Sequence, residues 1–170
     1  MLTLIIGGAG SGKSAFAEGL VCRLPGRKIY LATMLPRDGE SYARVERHRA
    51  RRAHRGFETL ERGLDLEGAL IPPGSDVLLE DLSNLLANEL YEPDGGGIDA
   101  VRRGLYHLIV ACDHLTVVTN EVFSGGADYD VESLRYMRLL AGLNRELAAR
   151  AELAVEVVCG LPNVLKGVLP

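Results

Sequence analysis

Near its N-terminal end the chain reads Gly7-Gly8-Ala9-Gly10-Ser11-Gly12-Lys13-Ser14. This stretch matches the pattern G-x-x-x-x-G-K-S/T at every fixed position, and it lies between an apolar run and an amphipathic run. Its glycines let the loop curl so that backbone N–H groups point inward at an anion, and a helix starting near Ser14 adds the positive end of its dipole. We therefore expect these residues to bind the phosphates of a nucleoside triphosphate, with Lys13 on the outer phosphates and the Ser14 hydroxyl on Mg²⁺.

Strands and helices are expected to alternate along the chain. Apolar runs predict buried strands at residues 2–6, 29–33, 57–60, 77–80, 115–119 and 154–159. Helical patterns and their end signals predict helices at residues 14–24, 39–52, 64–70, 82–90, 98–112 and 131–150. The tail at 161–169 is compatible with an added edge strand. Together with the glycine-rich loop, this order predicts an α/β fold, specifically a P-loop (RecA-like) three-layer fold with a mainly parallel central sheet, in one domain over residues 1–170.

The composition restricts the class of partner. The 170 residues carry a net charge of −4, whereas non-specific nucleic-acid binding needs a basic domain, so we expect no nucleic-acid partner. No apolar stretch predicts a membrane span and no charged leader precedes the first strand, which favours a cytoplasmic protein. The three cysteines, Cys22, Cys112 and Cys159, are too far apart for a disulfide framework or a zinc site. We expect them to be buried as small apolar residues.

Two carboxylates follow the apolar run 77–79. An acid directly after a central strand is where P-loop proteins place a carboxylate linked to Mg²⁺, and Glu80 and Asp81 are both candidates. The other role open to either residue is to cap the next helix. We expect Glu80 to belong to the nucleotide and metal site and Asp81 to be the cap.

A basic stretch surrounds His48. Arg44 precedes His48 by four residues and Arg52 follows it by four, so the three side chains would share one face of a helix. Guanidinium groups bind phosphate oxygens, and a neutral imidazole attacks phosphorus well. The residues alone leave two interpretations open: a phosphate-binding and nucleophilic face, or a solvated helix surface. Without further information the second is favoured.

Polar residues also follow the run 115–119. Asn120 and Glu121 come where a parallel strand should end, and such positions line the ligand crevice of open α/β sheets. Ordinary turn or helix capping explains the pair equally well. Both residues are retained as candidate nucleotide ligands.

The chain resembles the adenosylcobinamide kinase/adenosylcobinamide-phosphate guanylyltransferase family, the bifunctional enzymes of cobalamin assembly, over nearly its whole length. The residues that carry the resemblance are the loop 7–14, the segment 30–33 ending in Thr33, Arg44-Val45, His48, the segment 78–80, Thr119-Asn120-Glu121-Val122, Asn144, Leu147-Ala148 and the segment 157–162. The loop by itself is generic, whereas its combination with His48 and Thr-Asn-Glu-Val is specific. We include Thr33 among the expected nucleotide-binding residues.

The resemblance implies two reactions. In the first, ATP or GTP phosphorylates the aminopropanol hydroxyl of adenosylcobinamide, a corrinoid. In the second, GTP transfers GMP to a histidine, here His48, and the phosphorylated cobinamide then takes the GMP. The resemblance also implies a propeller-like homotrimer, and Mg²⁺ is the cofactor expected from the loop and from Glu80.

Some residues depart from the family pattern. Position 10 is usually Arg in the family and is Gly10 here, and the residues after Val122 retain only Gly125 of the usual sequence. Phe57 stands where Trp is common, and the stretch before Asn144 is also altered. Two alternatives therefore stay open: a diverged P-loop small-molecule kinase without guanylyl transfer, or a nucleotide-binding paralogue without catalysis.

Overall fold

The computed structural model describes residues 1–35, 54–123, 125 and 128–170. Its strands are β1 (Leu2–Gly7), β2 (Arg27–Ala32), β3 (Phe57–Glu61), β4 (Ser75–Glu80), β5 (His114–Asn120), β6 (Leu153–Val158) and β7 (Leu161–Lys166). Its α-helices are α1 (Lys13–Val21), α2 (Leu82–Tyr91), α3 (Gly97–Ala111) and α4 (Val131–Arg150), with a 3₁₀ turn at Leu66–Gly68. The helix expected at 39–52 lies outside the described residues.

The seven strands form one sheet in the order β3-β2-β4-β5-β1-β6-β7. Strands β1 to β6 run parallel, and β7 pairs with β6 in the antiparallel direction. The predicted α/β fold with a mainly parallel sheet is confirmed, and so is the edge strand in the tail. Because β5 lies between β1 and β4, the C-terminal ends of these three strands meet side by side.

Two apolar clusters cover the two faces of the sheet. Neighbouring residues of one strand divide between them: Leu79 of β4 belongs to the cluster under α2, α3 and α4, whereas Leu78 belongs to the cluster under α1. Val117 and Val118 of β5 divide in the same way. This alternation is the two-residue period of a strand buried on both faces, and it yields three layers. It also assigns Glu80, two residues after Leu78, to the α1 face.

Two predictions about local structure are wrong. Residues 64–70 form no α-helix, because Asp65 takes a left-handed backbone conformation (φ 49°) and Ala69 is already extended, which leaves only the 3₁₀ turn. Cys112 is buried as expected, but Cys159 is exposed. Cys159 occupies the turn between β6 and β7, outside the core, and its backbone there is left-handed, with φ 52°.

No helix in the described part of the chain combines the length and apolar character needed to cross a bilayer.

Candidate nucleotide site

The glycine-rich loop connects the end of β1 to the start of α1. Gly12, the N-cap of α1, has φ 91°, a left-handed conformation that disfavours any side chain. A second constraint comes from the turn after β6, where Gly160 N donates to Ser11 O at 2.7 Å. A Cβ on Gly12 would lie 3.1 Å from Gly160 Cα. The loop is therefore fixed by its own glycine and by the β6–β7 turn.

Gly12→Ala is expected to lower the free energy of unfolding by about 1–3 kcal/mol, because alanine is strained at that φ and crowds Gly160. Gly8→Ala is the matched control, since a Cβ on Gly8 meets no atom within 4 Å. It should change stability by less than about 0.5 kcal/mol. Urea unfolding without nucleotide measures both variants, and equal losses would contradict this account of the loop.

Lys13 is buried in this loop. The residue is 7 % exposed, and Nζ donates to Gly8 O at 3.1 Å. No carboxylate of the described residues forms an ion pair with it. A buried ammonium held by one neutral carbonyl is poorly compensated, so an anion bound in the loop would be favoured. This is the charge that the motif predicts for the phosphates.

Ser14 and Glu80 are joined by a hydrogen bond. Ser14 Oγ donates to Glu80 Oε1 at 2.6 Å, and Glu80 Oε2 is buried with no hydrogen-bond partner in the described part of the chain. Burial raises the pKa of Glu80 to about 7, although the Ser14 hydrogen bond and the Lys13 charge oppose the rise. A buried carboxylate oxygen without a donor is a fitting ligand for a hard cation.

The Ser14 hydroxyl and the Glu80 carboxylate suit Mg²⁺ as ligands. Mg²⁺ prefers oxygen ligands and commonly takes one or two protein groups, with water and substrate phosphates completing its shell. Within the described residues no three His, Cys, Asp or Glu side chains cluster to enclose a metal. A hydroxyl and one carboxylate instead match the kind of site that needs the nucleotide to be complete.

Glu80→Gln is expected to stabilise the protein in the absence of nucleotide and divalent cation, and more so as pH rises. The folded-state pKa of Glu80, about 7, exceeds its ordinary value of 4.5, so the folded state binds more protons between these values. The stability that protonated Glu80 contributes is fully present below pH 4.5 and is lost as the pH rises through 7. We expect an advantage for Glu80→Gln on the order of 2 kcal/mol at pH 8, shrinking toward pH 5. Urea unfolding across this range would contradict the burial of Glu80 if the difference did not change with pH.

Asp81 caps α2, as predicted. Its Oδ1 accepts from Asn84 N at 2.7 Å and from Ser83 Oγ at 2.6 Å. Thr33 holds its backbone: Thr33 Oγ1 accepts from Asp81 N and donates to Asp81 O, both at 2.8 Å. Thr33 is fully buried, so in the structure its hydroxyl fixes the end of β4. Its role as a nucleotide ligand stays a prediction.

Asn120 and Glu121 lie beside the loop. Asn120 pairs in register with Gly7, and Glu121 N donates to Gly7 O at 3.1 Å. Asn120 Nδ2 donates to Asp81 Oδ2 at 3.3 Å and to Ser83 Oγ. Glu121 Oε1 accepts from Phe123 N at 2.8 Å. The structure thus brings Asn120, Asp81 and Glu80 to the same sheet edge as the loop.

His48, Arg44 and Arg52 lie outside the described residues. Just after them in sequence, Arg55 Nη1 pairs with Glu18 Oε2 at 2.8 Å, and Glu18 is 3 % exposed. The ion pair ties the chain after residue 53 to α1. Sequence reasoning missed this contact, although an acid beside Ala17, Leu20 and Val21 was a usable signal. It also missed Ser83, which nothing distinguishes from an ordinary first-turn serine.

A groove of about 510 Å³ lies elsewhere, between α3 and α4. Its charged groups are largely paired, Arg102 with Glu146 and Arg103 with Glu67. None of the loop residues lines it. The groove is therefore a surface separate from the candidate nucleotide site.

The loop between β1 and α1, its buried lysine and the serine–carboxylate pair define a P-loop nucleotide-binding protein. Within that class, residues 3–165 match the family described as cobinamide kinase / cobinamide phosphate guanyltransferase. The chain belongs to this family.

Curated relatives cover the same length. The chain is 36% identical over 172 residues to the bifunctional adenosylcobalamin biosynthesis protein CobP of Pseudomonas aeruginosa, covering 98% of each. It is 34% identical over 184 residues to the corresponding CobU of Escherichia coli, covering 98% of this chain and 100% of the relative. Among solved structures, the P4 protein of bacteriophage phi6 in complex with ADP aligns with 95% of this chain and 53% of its own, at 16% identity and a TM-score of 0.42.

Proposed function

We propose that this protein is a bifunctional transferase of cobalamin biosynthesis. It phosphorylates adenosylcobinamide and then transfers GMP from GTP to the resulting phosphate. The observation that carries the proposal is the Ser14–Glu80 pair beside Lys13, in a chain that belongs to the family over residues 3–165.

The described residues support phosphoryl transfer directly. The loop N–H groups and Lys13 bind the triphosphate and stabilise the charge that develops on the transferred group. Ser14 Oγ and Glu80 would hold Mg²⁺, which when bound neutralises phosphate charge. Lys13 and Glu80 Oε2 are buried, which strengthens the electrostatic interactions that these two groups make.

Guanylyl transfer is assigned to His48. An imidazole nitrogen attacks the α-phosphorus of GTP, a P–N bond forms, and pyrophosphate leaves with the electron pair of the broken P–O bond. An oxygen of the cobinamide phosphate then attacks the same phosphorus and His48 is released. Arg44 and Arg52 would bind phosphate oxygens in both steps. This assignment rests on the family resemblance and on the spacing of the three residues.

The remaining parts of the proposal rest on the same resemblance. GTP serves the nucleotidyl step, and ATP or GTP serves the kinase step. The protein works in the cytoplasm as a homotrimer, with a corrinoid as acceptor.

The direct test is incubation of the purified protein with adenosylcobinamide, Mg²⁺ and either ATP or GTP, followed by mass spectrometry of the corrinoid. We expect a phosphorylated corrinoid with a suitable triphosphate and a GDP-linked corrinoid when GTP is present. A phosphorylated product alone, under GTP, would select a kinase without guanylyl transfer. GTP binding with no change in the corrinoid would select a nucleotide-binding protein without catalysis.

A further inference from the structure

The side chain of Asn120 has one fixed orientation at the nucleotide site. Its Nδ2 lies within hydrogen-bond distance of Asp81 Oδ2, at 3.3 Å, and of Ser83 Oγ. A carboxylate only accepts hydrogen bonds, so the group facing Asp81 must be the amide nitrogen. Ser83 Oγ donates its own hydrogen bond to Asp81 Oδ1, at 2.6 Å, so toward Asn120 it can only accept. Both neighbours therefore require the same amide orientation.

Asp81 is itself held in place. Its carboxylate caps α2 through Asn84 N, and its backbone N–H and C=O both bond to Thr33 Oγ1. The chain thus uses Thr33, Asp81 and Ser83 to point Asn120 Oδ1 away from the amide's two partners. In the described part of the chain, no donor reaches Asn120 Oδ1.

The position of Asn120 is beside the loop that is expected to bind the phosphates. Asn120 ends β5, which lies between the strand leading into the loop and the strand carrying Glu80. It pairs in register with Gly7, the first residue of the loop. A carbonyl oxygen there repels phosphate oxygens, which are also acceptors, and it needs a donor instead. The donor that phosphoryl transfer brings to this place is the hydroxyl of the acceptor alcohol.

We propose that Asn120 Oδ1 accepts the hydrogen bond of the acceptor hydroxyl and orients it toward the γ-phosphorus, and that Asp81 is the positioning residue that fixes the amide. The inference rests on the proposed kinase activity and assigns a catalytic residue to it. Guanylyl transfer lies outside this role, because neither His48 nor an ionised phosphate ester attacks through an O–H group.

The reaction balances without a base at this position. The alcohol oxygen forms a bond to the γ-phosphorus, and the bond from that phosphorus to the β,γ-bridging oxygen breaks, leaving its electron pair on the nucleoside diphosphate. A neutral amide takes no proton, so the hydroxyl proton passes to the transferred phosphoryl group or to water. Asn120 contributes by orienting the acceptor hydroxyl. A small displacement of this nucleophile would remove that contribution.

Two variants test the proposal, Asn120→Ala and Asp81→Asn. The first removes Oδ1, and the second keeps the helix cap but lets the amide of Asn120 turn either way. For phosphorylation of adenosylcobinamide we expect kcat to fall about 100-fold in Asn120→Ala and about tenfold in Asp81→Asn. The KM for the nucleotide and the rate of GMP attachment to the protein from GTP should stay within about threefold of wild type.

Asp130→Asn is the matched control. Asp130 caps α4 as Asp81 caps α2, accepting from Ser133 N at 2.8 Å and from Ser133 Oγ at 3.0 Å. This variant should keep the wild-type kcat. It therefore measures separately any effect on kcat of replacing a helix-capping aspartate by asparagine.

A wild-type kcat in Asn120→Ala would overturn the inference. A parallel loss of nucleotide binding and GMP attachment in this variant would also overturn it, because Asn120 would then be part of the nucleotide or metal site. Wild-type kcat in Asp81→Asn would overturn the positioning role. Absence of corrinoid phosphorylation by the wild-type protein would overturn the proposed kinase function and this inference together, and it is seen before any variant is made.

Discussion

Lys13→Ala is expected to reduce corrinoid phosphorylation and GMP attachment to the protein together, each by about 10³-fold. Both reactions bind a triphosphate in one loop, and Lys13 supplies the buried positive charge that faces it. The fold should survive, because the side chain makes a single hydrogen bond, to Gly8 O. Initial rates of the two reactions at saturating Mg²⁺ measure the effect, and circular dichroism checks the fold.

Lys28→Ala is the control for this variant. Lys28 Nζ also donates to a nearby glycine carbonyl, Gly26 O, at 3.3 Å, but it lies near the start of β2, at the opposite end of the sheet. Its replacement should leave both rates near the wild-type values. A Lys13→Ala variant that lost one activity and kept the other would show that the two reactions use separate triphosphate sites.

His48→Ala is expected to abolish transfer of GMP to phosphorylated adenosylcobinamide, by about 10⁴-fold or more, and to leave the phosphorylation step within about threefold of wild type. The reason is that a covalent nucleophile has no substitute, whereas the kinase step uses the alcohol as its own nucleophile. The two steps are measured separately by supplying either adenosylcobinamide with ATP or its phosphate with GTP.

His107→Ala is the comparison for His48. His107 Nε2 lies 2.8 Å from Ala69 O, far along the chain from the loop and on α3. It should retain guanylyl transfer. If guanylyl transfer persists in His48→Ala, either another residue is the covalent nucleophile or the reaction has no covalent intermediate. Loss of both steps would make His48 a general binding residue.

The parts of the fold that sequence predicts well are those governed by local patterns. The runs at 2–6, 77–80 and 115–119 are apolar on both faces, which defines buried parallel strands, and all three are found as β1, β4 and β5. Asp81 as a helix cap follows from local chemistry and is confirmed. The helix predicted at 64–70 is wrong because the backbone of Asp65 is left-handed. The identity of that residue does not dictate this conformation.

Candidate site residues could be named from the sequence where one segment carries the chemistry, whereas the contacts that join separate segments could not. Lys13 and Ser14 are adjacent in a motif, and Glu80 follows its strand, so each could be named. The network of Asn120, Ser83 and Thr33 joins three segments through Asp81. No periodicity or spacing in the sequence predicts these contacts, because they arise from the order of the strands in the sheet. Thr33 shows the difference: its hydroxyl bonds to the backbone of Asp81, a contact that the sequence did not indicate, and its role as a nucleotide ligand stays a prediction.

Intact-mass spectrometry shows whether this chain carries a guanylylated histidine as well as a kinase site. The wild-type protein is incubated with GTP and Mg²⁺ in the absence of corrinoid. We expect the protein to gain the mass of one GMP, and we expect the adduct to be lost in acid and to survive in base, as a phosphorus–nitrogen bond should. An unchanged protein mass at saturating GTP, or an adduct that survives acid, would contradict this expectation.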